Sequence, residues 1–426
     1  MQRSTLALAV PARSELTRRS RQLLAALAVA GLLAGCGGDD HGFDCFGCGP
    51  NGTPVENSFG VVSGNFHGAG VADLAQLSTI EPEQGPNASN LKTYLSVAAN
   101  DYAGPTLTAD GNNPLYLATA DLNGDGLDDV VSASADDGAL RVFLNDKLNP
   151  GTFNTPLVLN SPGASQVAIA DMNGDGLPDL VSADFNVSLF LQTSPGTFAA
   201  PISLYSGGAN WVALGDLNDD GSPDVALTDN VGVKVLMHTG AASATTFAAP
   251  VTVFTQTLNQ DLQGANIIAI ADVNGDGLND LIVTDPGPTG GMAPTVNVLL
   301  QESTSHGSFA APVSYPIAVQ DVPQSIVLSD LQGDGQLDIV IGGTQTVTVL
   351  LHDPANPGKF LAATIYPAKN ANEITIADVN GDGKPDIVVS NGVTFPTQDG
   401  VITTHPGVLL QSATTPGAFG ALQDLP

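Results

Sequence analysis

Six nine-residue stretches of this chain set oxygen-bearing side chains at positions one, three, five and nine. They are "DLNGDGLDD" from Asp121, "DMNGDGLPD" from Asp171, "DLNDDGSPD" from Asp216, "DVNGDGLND" from Asp272, "DLQGDGQLD" from Asp330 and "DVNGDGKPD" from Asp378. Those four side chains can meet at one point if the backbone winds tightly, and position seven then offers its carbonyl. Glycine at position six permits the left-handed conformation that such winding needs. Every donor is oxygen, several are anionic, and none is nitrogen or sulfur, so the expected ligand is a hard divalent cation. Calcium accepts a flexible shell of six or seven oxygens, whereas magnesium demands a smaller octahedron and gives up water reluctantly. Where proline holds position eight (Pro178, Pro223, Pro385), it biases position seven away from helical backbone and toward strand.

An EF-hand shares the D-x-D-x-D-G start but needs a bidentate glutamate at position twelve and flanking helices. The twelfth residues here are Ser132, Ser182, Leu227, Val283, Ile341 and Val389, all in apolar runs, which excludes that reading. An eroded seventh copy, "NFHGAGVAD", runs from Asn65 to Asp73. Ala69 has lost the fifth-position ligand there and His67 holds the third, so no ion is expected.

The loops recur over 313 residues between Asn65 and Asp378 in six intervals, about 52 residues each, the period of propeller blades rather than helical solenoids. An alternating run precedes each turn ("VAIA", 167–170) and another follows it ("DLVSA", 179–183). A third run is aliphatic ("VSLFLQ", "VKVLMH", "VTVLLH"), and a fourth follows a "GTF"-like turn ("PGTFAAPISLY", "GSFAAPVSYP"). Four β-branched runs separated by Gly, Pro, Asn and Asp read as a four-stranded antiparallel meander. One such sheet cannot bury both faces alone, but sheets stacked radially can. The expected fold is all-β: a seven-bladed β-propeller of four-stranded antiparallel blades with calcium-binding loops. It spans 58–426, about 53 residues per blade, its ring closed by apolar packing without a shared sheet.

The units resemble FG-GAP and VCBS repeats, the blades of integrin-α-like propellers. Carried onto this sequence, the resemblance implies about six structural Ca²⁺ sites. Asp121, Asn123, Asp125 and Asp129 form the first, with the Leu127 carbonyl. Asp171, Asn173, Asp175 and Asp179 form the second, with Leu177. Asp216, Asn218, Asp220 and Asp224 form the third, with Ser222. Asp272, Asn274, Asp276 and Asp280 form the fourth, with Leu278. In the fifth, Asp330, Asp334 and Asp338 fit with the Gln336 carbonyl, but Gln332 stands where the others have asparagine. The last uses Asp378, Asn380, Asp382 and Asp386, with Lys384 giving only its backbone.

The first 35 residues read as a lipoprotein signal peptide and not as part of the fold. "TRRSRQ" is basic, "LLAALAVAGLLAG" is an apolar run too short to span a bilayer, and "LAGC" resembles a bacterial lipobox. That resemblance implies lipidation of Cys36, with acyl chains holding the protein on a membrane. Gly37 after the cysteine favours the outer membrane by resemblance to enterobacterial sorting rules. Residues 36–57 read as the lipidated cysteine and a flexible tether. Cys45 and Cys48, in "CFGC", suit a short-loop disulfide in an oxidising compartment; free thiols or a metal or redox role are the other readings.

Of 12 basic and 43 acidic residues, five arginines and one glutamate lie in residues 1–35, leaving seven basic against 42 acidic. Such a surface repels phosphate backbones, so no nucleic acid partner is expected. The same scarcity of cations argues against an enzyme acting on acidic sugars, and no G-x-S-x-G or H-E-x-x-H motif is present. His238, His306, His352 and His405 lie in different units. The expected role is a monomeric, envelope-anchored binding or adhesion module for a protein or glycan. The alternatives are a propeller lyase or hydrolase using the face opposite the calcium loops, and a scaffold in envelope assembly. Long connections on that face (80–91, 256–266, 285–295, 317–324, 391–407) are where binding is expected. Trp211, the only tryptophan, is a candidate ligand anchor or an inter-blade packing residue, and Tyr102, Tyr116, Phe185 and Phe395 are open to the same two readings. The recurrent phenylalanines Phe153, Phe198, Phe247, Phe309 and Phe360 are expected in the core.

Overall fold

The computed structural model describes residues 48–49, 53–68, 71–81, 88–98, 101–183, 185–239, 246–255, 267–287, 294–318, 321–368, 370–390, 394–396 and 402–425. Cys36, Cys45 and the expected disulfide lie outside the described residues. So do 82–87, 256–266, 288–293, 319–320, 391–393 and 397–401, the centres of the long connections.

Among the described residues, seven antiparallel blades follow one another along the chain, each built from four strands in sequence order. Blade one comprises Thr53–Gly64, Asp73–Glu81, Ala88–Ala98 and Asp101–Ala109, so its first strand starts inside the stretch expected to be tether. Blade three, Gln166–Ala170, Asp179–Ala183, Val187–Phe190 and Ile202–Tyr205, typifies the rest. The first strands of neighbouring blades touch one another in ring order, and that of blade seven (Ile374–Ala377) touches that of blade one. First strands therefore surround the axis. The fourth strands form the rim and are largely exposed, as in Leu157–Asn160 and Val251–Thr255.

Second strands explain why a sheet this small is stable only in a ring. Asp179–Ala183 and Asp224–Thr228 are buried at every position, so both faces need partners. Each face finds one: Leu180 joins a cluster with blade two (Val131, Leu140), while Val181 and Ala183 join Val212 and Val225 of blade four. Among the described residues seven such clusters occur, one at each blade interface. Each fully buried Val, Leu or Ile contributes about 1.5–3 kcal/mol, so the interfaces carry most of the stability.

Ring closure follows the expected apolar packing, with Val61, Leu74 and Tyr94 of blade one against Val379, Val388 and Val408 of blade seven. Contrary to expectation, a shared sheet is also present. The second-to-third connection of blade seven folds into a hairpin, Thr394–Pro396 and Ile402–Thr404. Ile402 pairs in parallel with Val55 of blade one.

Candidate functional site

All six acidic loops join first and second strands, so they share one end of the ring, and position nine is always the first residue of the second strand. The carboxylate at position one gathers the turn around itself. In the blade-three loop Asp171 Oδ1 accepts the N–H groups of Gly174 and Asp175, and its Oδ2 accepts that of Gly176, at 2.7–3.1 Å. Asn173 Oδ1 accepts the Asp175 N–H at 2.8 Å, and Asp175 Oδ1 accepts the Leu177 N–H at 2.8 Å. Loops from Asp121, Asp216, Asp272 and Asp378 repeat the position-three and position-five bonds. The position-six glycines have φ of +79° to +90°, the left-handed backbone expected of them. Among the described residues, no three His, Cys, Asp or Glu side chains converge as a ready-made metal cluster.

Position nine has a structural role that a reading as ligand alone does not include. Asp179 is fully buried. Its Oδ2 accepts the N–H of Met172 at position two, and its Oδ1 that of Gln192, two residues past the third strand, at 3.0 and 2.7 Å. The same pair of bonds recurs at Asp129, Asp224, Asp280, Asp338 and Asp386, and in the eroded copy at Asp73. This carboxylate ties the loop to the third strand, and it seats the buried position-two side chain (Leu122, Met172, Leu217) in the inter-blade core. Burial pushes Asp129 up to about 7, and Asp179, Asp224 and Asp280 up to about 6. In each case the charges at positions five and one add to the rise.

The blade-six loop departs from this scheme. Gln332 does not bond to the Asp334 N–H. Its Nε2 lies 3.3 Å from Asp338 Oδ1 and 3.0 Å from His352 Nδ1. The buried His352 ring lies with Nε2 3.4 Å from Asp334 Oδ2 and Nδ1 3.3 Å from Asp338 Oδ1. In blade one His67 Nδ1 lies 2.7 Å from Asp73 Oδ2.

Five overlapping stretches, 121–182, 171–227, 216–283, 272–341 and 330–389, match the FG-GAP-like repeat. The chain belongs to the FG-GAP-like repeat family. Its FG-GAP-like units also share a turn whose full role spacing alone does not disclose. The "GTF"-like turn pairs each phenylalanine with a residue past the third strand, as Phe153 with Asn145 and Phe360 with His352, and a sixth copy at Phe419 pairs with Gln411. Phe360 is buried; Phe153, Phe198, Phe247 and Phe309 are half-buried against the inter-blade clusters. The glycine of the turn meets the blade before it: a Cβ on Gly358 would stand 2.9 Å from Leu300, and one on Gly417 2.7 Å from Leu351.

No curated protein matches the sequence. Among solved structures, a lectin from Agrocybe aegerita that recognises non-reducing terminal N-acetylglucosamine is 20% identical. That likeness covers 74% of this chain and 80% of the lectin, with a TM-score of 0.50. Sqt1 from Chaetomium thermophilum is 12% identical over 79% of this chain and 94% of its own (TM-score 0.47). The rhamnogalacturonan lyase YesW is 12% identical over 83% and 72% (TM-score 0.44). These likenesses concern the fold alone.

At the end opposite the acidic loops, Trp211 is half-buried. Its ring meets Tyr116 edge-on at 5.1 Å between centroids. Tyr116 opens blade two and Trp211 opens blade four, so the two rings reach past blade three toward the axis. Gln166 of blade three clamps the same region, its side chain bonding both the N–H and the C=O of Val212 at 3.2 Å. Trp211 is thus a packing residue between blades with part of its surface open. Tyr102 donates its hydroxyl to the Ala72 carbonyl at 3.0 Å, a tie within blade one; Phe185 is exposed.

Proposed function

We propose that this chain is a calcium-stabilised propeller, held at the bacterial cell envelope through lipidated Cys36, that acts by binding a protein or glycan on the end opposite its acidic loops. The observation that carries the reading is the repetition of one oxygen-only loop at the same end of successive blades, each wound around its position-one carboxylate, with the charges at positions one and five crowding the buried ninth carboxylate and adding to its rise. A dication held by positions one, three and five, the position-seven carbonyl and position nine would relieve that crowding. At a hundredfold excess of calcium over its dissociation constant, each site would stabilise the ring by about 2.7 kcal/mol.

Binding is favoured over polyanion cleavage by what the few cations do. Arg141 pairs with Asp137 at 2.5 Å and Lys92 with Glu56 at 2.7 Å, while Lys234 pairs with Asp229. Lys147 and Lys384 donate to backbone carbonyls of Asp125 and Ala413. A lyase needs such charges for the substrate carboxylate, and these five serve the fold.

The test is capture from envelope fractions and on glycan and protein arrays, with calcium and with chelator. Calcium-dependent retention of a defined ligand without turnover supports the reading. Release of unsaturated or hydrolysed products from a polysaccharide library overturns it in favour of an enzyme.

A further inference from the structure

The ninth-position carboxylates divide the loops into two kinds. A carboxylate oxygen has two lone-pair sites. In the loops of blades two, three, four, five and seven, each oxygen of the ninth aspartate accepts one backbone N–H, which leaves one site free on each oxygen. In blade six Asp338 Oδ1 already faces the His352 N–H at 2.8 Å, Gln332 Nε2 at 3.3 Å and His352 Nδ1 at 3.3 Å. The other ring nitrogen of His352 stands at Asp334, the position-five carboxylate. Gln332, the single departure from asparagine at position three among the six acidic loops, points inward to the same imidazole instead of staying on the loop. Blade one repeats the logic with a different histidine. Asp73 Oδ2 takes the N–H groups of Phe66 and His67 and the His67 ring, and its Oδ1 takes Ser96 twice.

In both units that lack the position-three asparagine, an imidazole thus faces the ninth carboxylate; in blade six it crowds Oδ1 and leaves Oδ2 with the Leu331 N–H. We infer that His352 takes the place of the cation in the blade-six loop, so that the protein binds five calcium ions and not six. This rests on the proposal that the acidic loops hold calcium. It makes Gln332 and His352 the residues that decide whether that loop is a metal site. Gln192, Gln301 and Gln411 stand where His352 does in blades three, five and seven, and each donates its amide to the position-eight carbonyl (Pro178, Asn279, Pro385) at 2.7–3.1 Å. Glutamine is therefore a substitution this position accommodates.

The experiment is a count of bound Ca²⁺ per full-length chain by equilibrium dialysis and elemental analysis, with calorimetric titration of calcium as a second readout. Five ions are expected for the wild type, six for the Q332N/H352Q double variant, and four for D272N, which shows that the count resolves one site. Six ions on the wild type, or five on the double variant, would overturn the inference and leave the calcium reading standing. No bound ion on any variant would overturn both. H352Q alone, melted in chelator, checks that the substituted blade still folds.

Discussion

The buried carboxylate of Glu373 accepts the backbone N–H of Val61 at 3.1 Å, joining the start of blade seven to the first strand of blade one. It is 6% exposed, and a Cβ on Gly60 would stand 2.7 Å from its Oε2, so the seam is closely packed. Burial pushes Glu373 well above the usual carboxylate range, so the folded ring favours the protonated acid. Because the folded value is the higher one, the stabilisation is complete below about pH 4.3 and is lost as pH rises toward that folded value. Glu373→Gln keeps an acceptor for Val61 without the charge. Urea denaturation from pH 4 to 8 should show a flatter profile for the variant, with stability at pH 7 equal to or above the wild type. Glu373→Ala, which leaves the Val61 N–H unpaired, should be about 1–3 kcal/mol less stable than Glu373→Gln at every pH.

The blades are legible in the sequence because their grammar is local. A nonapeptide such as 171–179 states a turn, the alternating runs beside it state strands, and the period states how many sheets must stack. What the sequence hides is relational. Nothing around Asp179 says that it takes N–H groups from Met172 and Gln192. The bond to Gln192 spans thirteen residues and exists only once the third strand returns. Trp211 reads as a possible anchor because a lone tryptophan carries no partner in its own segment, and its partner Tyr116 is two blades away. The pairing of 394–396 with 402–404 is likewise invisible in its own segment, since its mate is Val55 near the other end of the chain.

Chelation should weaken the whole ring. Five sites at about 2.7 kcal/mol each imply a fall in melting temperature on the order of 15 °C for a domain of this size. Differential scanning calorimetry with and without EDTA reads it, with recovery on adding calcium and none on adding magnesium at equal concentration. An unchanged melt would remove calcium from the account.

Positions one and nine should separate under that treatment. Asp179→Ala strips the acceptors from two buried N–H groups and should cost about 2–6 kcal/mol in chelator, with the stabilisation of one calcium site lost on top of that in calcium. Asp171→Ala removes an acceptor from an exposed turn and, by proposal, a metal ligand. Its loss in calcium should exceed its loss in chelator by about the stabilisation of one site. Chemical denaturation of both variants in both buffers tests the pair, and equal losses in chelator would contradict the division of roles.

The glycines give a contrast independent of any ion. Gly176, in an acidic loop, has φ +85°, and a Cβ added there would have nothing within 4 Å, so alanine meets only backbone strain of about 1–2 kcal/mol. Gly358 has φ +73°, and its Cβ would also meet Leu300 of the preceding blade at 2.9 Å and Asn274 at 3.0 Å. Leu300 borders the well-packed core between blades five and six, so little room exists for it to retreat. Overpacking adds about 1–3 kcal/mol to the strain. In chelator, where metal affinity plays no part, Gly358→Ala should therefore lose more stability than Gly176→Ala by that margin. Equal losses would mean that the "GTF"-like turn is held by its own conformation and not by the neighbouring blade.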